Sequence, residues 1–123
     1  MAHEELNTLT EQVIGAAIAV HKELGPGFTE RIYARALQLE LQARQVPFTT
    51  EHAIRLMYKD QFLGWHRLDL SVGDKLVVEL KAVYEVNRFH VAQTLSYLKA
   101  SGKRLGLILN FSRSRLEIRR IAL

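Results

Sequence analysis

The sequence contains no cysteine, which excludes a disulfide framework, a thiolate nucleophile and any zinc–cysteine cluster. Proline occurs only at Pro26 and Pro47, each at the edge of a patterned segment and never inside one. No apolar run approaches the roughly 20 residues that a membrane-spanning helix needs. The opening MAHEELN lacks the basic-then-apolar layout of a secretory leader, so the expected location is the cytoplasm. Acidic residues are scarce in one region. From residue 86 onward Glu117 stands alone against eight Lys and Arg, whereas residues 1–85 carry twelve acidic and nine basic groups. The net charge of +4 therefore resides in the C-terminal part. Such clustering suits a polyanion such as DNA or RNA through counterion release, and it equally suits a solvated surface.

The 123 residues, 48% hydrophobic and 24% charged, match a single globular domain spanning 1–123. Thr8-Leu9-Thr10-Glu11 reads as a helix start, and Leu9, Val13, Ile14, Ala17, Val20 and Leu24 follow at helical spacing to about residue 24. Gly25-Pro26-Gly27 stops that helix. Thr29 is placed to cap a second helix that ends near Arg44. From Phe48 the period changes to two. Strands are predicted over about 48–57, 62–72 and 75–83, with turns at Tyr58-Lys59-Asp60 and around Gly73-Asp74. Helical spacing returns over 88–101, and strands are predicted over 104–111 and 115–123. The order predicts a mixed α/β fold, a central sheet flanked by helices, with a parallel crossover between the third and fourth strands.

VVELKAV (residues 77–83) has the apolar pattern of a strand covered on both faces, yet it carries Glu79 and Lys81. Alternation puts these two charges on one face with Val77 and Val83. A structural ion pair at the edge of the core accounts for them, and so does a site. In the preceding strand Leu68, Leu70 and Val72 alternate with Arg67, Asp69 and Ser71. If the apolar set joins Val78 and Leu80, Asp69 shares the side of Glu79 and Lys81. A two-residue turn would pair Asp69 with Val78, so the connecting loop must be odd-numbered or bulged. Two carboxylates so placed repel each other, and an oxygen-ligated divalent cation relieves that repulsion. The ammonium can steady a water or a phosphate oxygen beside them.

An Asp on one strand followed by Glu-x-Lys on the next resembles the PD-(D/E)XK nuclease superfamily, whose restriction-endonuclease-like core is αβββαβ. More closely, Gly27-Phe28-Thr29-Glu30-Arg31-Ile32-Tyr33 resembles the signature of the GxxExxY protein family, a branch of that superfamily. The similarity continues through VHKELGPGF, RLDL, VVELKAV, AQTLSYLKASG and RLGLILNF, over roughly residues 9–112. The resemblance implies a metal-dependent endo- or exonuclease in which a metal-activated water hydrolyses a phosphodiester. It implies that Asp69 and Glu79 ligate Mg²⁺, or Mn²⁺, with the backbone carbonyl of Leu80. It further implies that Lys81 is the catalytic lysine and that Glu30 holds a metal water or a second ion. Leu68 stands where the superfamily name has proline. Gln93 and Tyr97, four apart on one helical face, match a Gln-x-x-x-Tyr element of several nuclease branches that touches the site or the substrate backbone.

Other residues carry weaker readings. Tyr33 fits core packing or a substrate contact. His21, just before Gly25-Pro26-Gly27, fits a residue that faces the site or supports it from behind, or a structural helix-end charge. His66 points away from the site by parity, His90 shares the stripe of Gln93 and Tyr97 and so could approach a phosphate, and His3 and His52 read as surface residues. No histidine pair has zinc-ligand spacing with a third ligand, which argues against zinc. A non-catalytic nuclease-fold module that binds nucleic acid or a protein partner stays open, as does a homodimer. A purely structural polar cluster also remains among the readings.

Overall fold

The computed structural model describes residues 2–123, apart from the side chains of Ala2, His3 and Glu51. Three helices flank one five-stranded sheet: α1 (Ala2–Leu24), α2 (Glu30–Ala43), β1 (Phe48–Tyr58), β2 (Gln61–Val72), β3 (Leu76–Lys81), α3 (Arg88–Ser101), β4 (Leu105–Asn110) and β5 (Glu117–Ala122). The strands lie in the order β1-β2-β3-β4-β5. All neighbours are antiparallel except β3 and β4, which run parallel through the α3 crossover. No helix among the described residues is long and apolar enough to cross a membrane.

α1 starts at Ala2 rather than near residue 9, because its apolar stripe extends back to Leu6, which packs on the core with Leu9. Thr10, expected in a capping sequence, instead donates its hydroxyl to the Leu6 carbonyl one turn back at 2.7 Å. Thr29 occupies the N-cap of α2, but its side chain makes no capping bond. The capping box is at α3, where the Asn87 side chain accepts from the His90 N–H and His90 Nδ1 accepts from the Asn87 N–H. His90 is thereby held at the helix end through Nδ1 and its main-chain N–H.

The β2–β3 loop settles the parity question. Val72 pairs with Leu76, so the loop is the three residues Gly73-Asp74-Lys75, and the register carried forward from Leu70↔Val78 sets Asp69 against Glu79. Gly73 is required here. Its φ is +59°, and a Cβ on it would lie 2.7 Å from Leu9 Cδ1.

Two apolar layers cover the sheet. On one side α1 and α2 pack Val13, Ala17, Leu37 and Leu41 against Leu70, Val72, Val78, Leu80, Leu107 and Leu109. On the other, α3 supplies Leu98 against Val77, Ile108 and Ile121. Leu68 departs from the face that its alternation with Leu70 and Val72 predicts, and packs in the α3 layer with Ile54. Beyond Leu70, β2 leaves β3 and continues paired only with β1. A two-stranded ribbon twists more strongly than a wide sheet. The twist carries the even-numbered face of the ribbon from α1–α2 over to α3, and Asp69 sits at the crossing point.

Candidate active site at the strand divergence

The site lies where β2 and β3 part. Leu80 would ordinarily give its N–H to a β2 carbonyl; instead Asp69 Oδ2 accepts it at 2.8 Å. The Asp69 side chain thus substitutes for a missing rung of the ladder and is pinned at the mouth of the gap. On its other edge β3 is tied to β4, with Phe111 N–H donating to the Lys81 carbonyl at 2.9 Å. Strand alternation then directs the Leu80 carbonyl toward the gap on the β2 side.

Glu79 is buried at 5% exposure, and its Oε1 has no hydrogen-bond donor. Burial pushes its carboxyl up to about 8, the negative charge of Asp69 adds to the rise, and the Lys81 ammonium and the Asp69 backbone partly oppose it. The Asp69 carboxylate thus lies close enough to Glu79 to act on its charge. Lys81 is half-buried, and its charge acts on both Glu79 and His66. The structure therefore brings Asp69, Glu79 and Lys81 together, as the sequence spacing predicts.

Glu30 is the first residue of α2 and is exposed. With Arg31, Ala34, Asp69 and Leu80 it lines a cleft of about 320 Å³. It shares this cleft with Asp69 and Leu80 but not with Glu79, and among the described residues no three His, Cys, Asp or Glu side chains gather as a metal-binding group. Tyr97 does reach the site. Its hydroxyl is pushed up by burial and then by the charges of Glu79 and Asp69. Gln93 lies one turn earlier on the same face of α3, half-buried, with no hydrogen bond to any described residue.

His66 corrects the parity reading. Rather than pointing away, its ring stacks on Tyr97 with centroids 3.6 Å apart. Burial lowers its pKa, the Asp69 charge raises it and the Lys81 charge lowers it again. The ribbon twist that moves Leu68 moves His66 with it. His21 is elsewhere. Its Nε2 pairs with the Arg113 carbonyl at 2.8 Å and its ring tilts against Phe111, so it anchors the chain after β4. Tyr33 is core: fully buried, stacked on Phe111 at 4.5 Å, its hydroxyl donating to the Gly25 carbonyl and accepting from the Phe28 N–H. His52 is exposed, and the His3 side chain lies outside the described residues.

Sequence reading passes over Asn110 and Glu117. Asn110, fully buried opposite Lys81, holds the main chain of Val83, and its Nδ2 also donates to Glu117 Oε1. Glu117 in turn accepts the Val86 N–H. Together they brace the connection from Lys81 to α3. The signal that could have found them is a lone amide in the apolar run LGLILN.

An antiparallel ribbon leading into a parallel crossover, with an acidic pair and a lysine at the strand divergence, defines a nuclease-like class of protein. The chain belongs to the PD-(D/E)XK nuclease superfamily, whose family model matches residues 7–121. Its fold is accordingly restriction-endonuclease-like, and nucleic acid is the substrate class that membership implies. No curated protein and no solved structure matches the chain.

Proposed function

We propose that the chain is one nuclease domain that hydrolyses phosphodiester bonds of DNA or RNA with the aid of Mg²⁺ or Mn²⁺. Asp69, Glu79 and the Leu80 carbonyl would hold the ion, and Glu30, across the cleft, would act on it through water. The observation that carries this reading is the buried Glu79 carboxylate beside Asp69, with an oxygen that no donor satisfies. A hard cation is the partner that such an oxygen pair accepts. When bound, it supplies charge neutralisation at the phosphate and acidifies a water. Lys81 contributes a fixed positive charge next to the reacting phosphate and orients the attacking water. Tyr97 lies at the same edge and reaches the nucleic-acid backbone, with Gln93 one turn away.

The GxxExxY assignment belongs to the same proposal. Its support is that every motif position has a physical role, with Gly27 at φ +116°, Glu30 on the cleft and Tyr33 tying down the Gly25–Phe28 loop.

A cleavage assay on single- and double-stranded DNA and RNA with Mg²⁺, Mn²⁺ or EDTA tests the reading. Wild type should cut only with the divalent ion, while Asp69→Asn, Glu79→Gln and Lys81→Ala lose cleavage. Salt-dependent binding without cleavage, unaffected by the acidic substitutions, would instead assign a non-catalytic nucleic-acid module.

A further inference from the structure

β1 and β2 extend beyond the sheet as a ribbon with a packed face and an open one. Ile54, His66 and Leu68 turn toward α3. The opposite face carries Arg55, across from Trp65, and Arg67, across from Ala53, all exposed. Toward the tip the register shifts between Leu56 and Met57, so that Met57 pairs with Phe62 and Leu63 becomes the extra residue. This bulge restores Phe62 to the face of Trp65. The two rings lie 5.5 Å apart, and the Arg55 guanidinium sits 5.2 Å from the Phe62 ring. Trp65 is 62% exposed and Phe62 48%. Exposing two large rings and a methionine on one ribbon face is costly to solubility without a partner. Along β2 the same row continues Trp65, Arg67, Asp69 and runs into the cleft.

From this juxtaposition we infer that the outer face of the β1–β2 ribbon is a stacking platform for single-stranded nucleic acid, leading an unpaired strand toward Asp69. The inference rests on the nuclease reading for the direction of the strand, but not for its binding. Flat exposed rings interleaved with guanidinium groups match alternating bases and phosphates. Duplex DNA keeps its base faces inside its own stack and offers these rings nothing to cover. A second copy of this chain would bring the same Arg55 against itself or its neighbour, an unfavourable match for a self-complementary contact.

Trp65 is the only tryptophan, so its fluorescence reports the platform directly. The test titrates the whole chain in EDTA with an oligothymidylate and, separately, a blunt duplex of the same length. The single strand should quench Trp65 and bind more tightly than the duplex. Read by the anisotropy of a fluorescein-labelled oligothymidylate, because the Trp65 variants carry no tryptophan, Phe62→Ala and Trp65→Ala should each weaken single-strand binding roughly 5- to 100-fold, with Trp65→Tyr retaining most of it. Circular dichroism confirms that these surface variants are folded. Unchanged affinity in Trp65→Ala and Phe62→Ala overturns the platform, and so does quenching by duplex equal to that by single strand. Concentration-dependent dimerisation in sedimentation that Trp65→Ala abolishes overturns it in favour of self-association. Because EDTA removes cleavage, binding with quenching but no nuclease activity sustains the platform while sinking the catalytic proposal. Cleavage untouched by the two variants does the reverse.

Discussion

Asn110 grips Val83 through both ends of its amide, Oδ1 accepting the Val83 N–H at 3.1 Å and Nδ2 donating to the Val83 carbonyl at 2.9 Å. One side chain thus acts as a short strand for the segment that leaves β3 just after Lys81. Asn110→Ala should destabilise the fold by about 1–3 kcal/mol, because buried main-chain groups of Val83 lose their partners. Asn110→Asp should fare worse at neutral pH, since it sets a second carboxylate against Glu117. Urea denaturation checks both.

Glu79 makes stability depend on pH. Its folded pKa, about 8, lies above the ordinary 4.5 it regains on unfolding, so the unfolded chain releases this proton first as pH rises. The contribution is intact below the unfolded value, declines through the interval and is gone above the folded one. Metal-free wild type should therefore show a lower urea midpoint at about pH 9 than at about pH 5, and Glu79→Gln should flatten that slope.

The proposed ion should reverse this trend. Mg²⁺ binds the deprotonated pair, so it should raise the melting temperature of wild type more at alkaline than at acidic pH. Asp69→Asn should abolish the Mg²⁺-dependent rise, as read by differential scanning fluorimetry. An equal rise in Asp69→Asn would place the ion elsewhere.

Tyr33→Phe isolates a single hydroxyl. The ring stack on Phe111 is kept, but the Gly25 carbonyl and the Phe28 N–H lose their shared partner. The expected cost is about 1 kcal/mol. Amide hydrogen exchange should quicken at Phe28, ahead of Glu30, while α3 stays protected.

Gly73→Ala tests the loop that aligns Asp69 with Glu79. A side chain there meets both a positive φ and Leu9, so it should cost about 1–3 kcal/mol. Gly73→Ala combined with Leu9→Ala relieves the clash but not the backbone strain, and it should recover only part of the loss if α1 tolerates the cavity.

Much of the fold is legible in the sequence because local rules govern it. Apolar spacing locates α2 and α3, Gly25-Pro26-Gly27 and Gly102 end helices, and alternation in VVELKAV places Glu79 and Lys81 on one face. The need for an odd loop at Gly73 also follows from parity alone and agrees with the Val72↔Leu76 register. The helix start at Ala2 escapes such rules, because Thr8-Leu9-Thr10-Glu11 imitates a cap within a helix that packing extends.

What the sequence by itself determined was which residues alternate and which types of group stand at which spacing, since these depend only on backbone periodicity. Only the tertiary structure decided where β2 lets go of β3. That separation frees the Leu80 N–H for Asp69, leaves Glu79 Oε1 without a donor and twists His66 onto Tyr97. Period-two counting assumes that a face keeps its neighbours along the strand. A ribbon released from its sheet is free to twist, and from Asp69 outward its neighbours are set by α3.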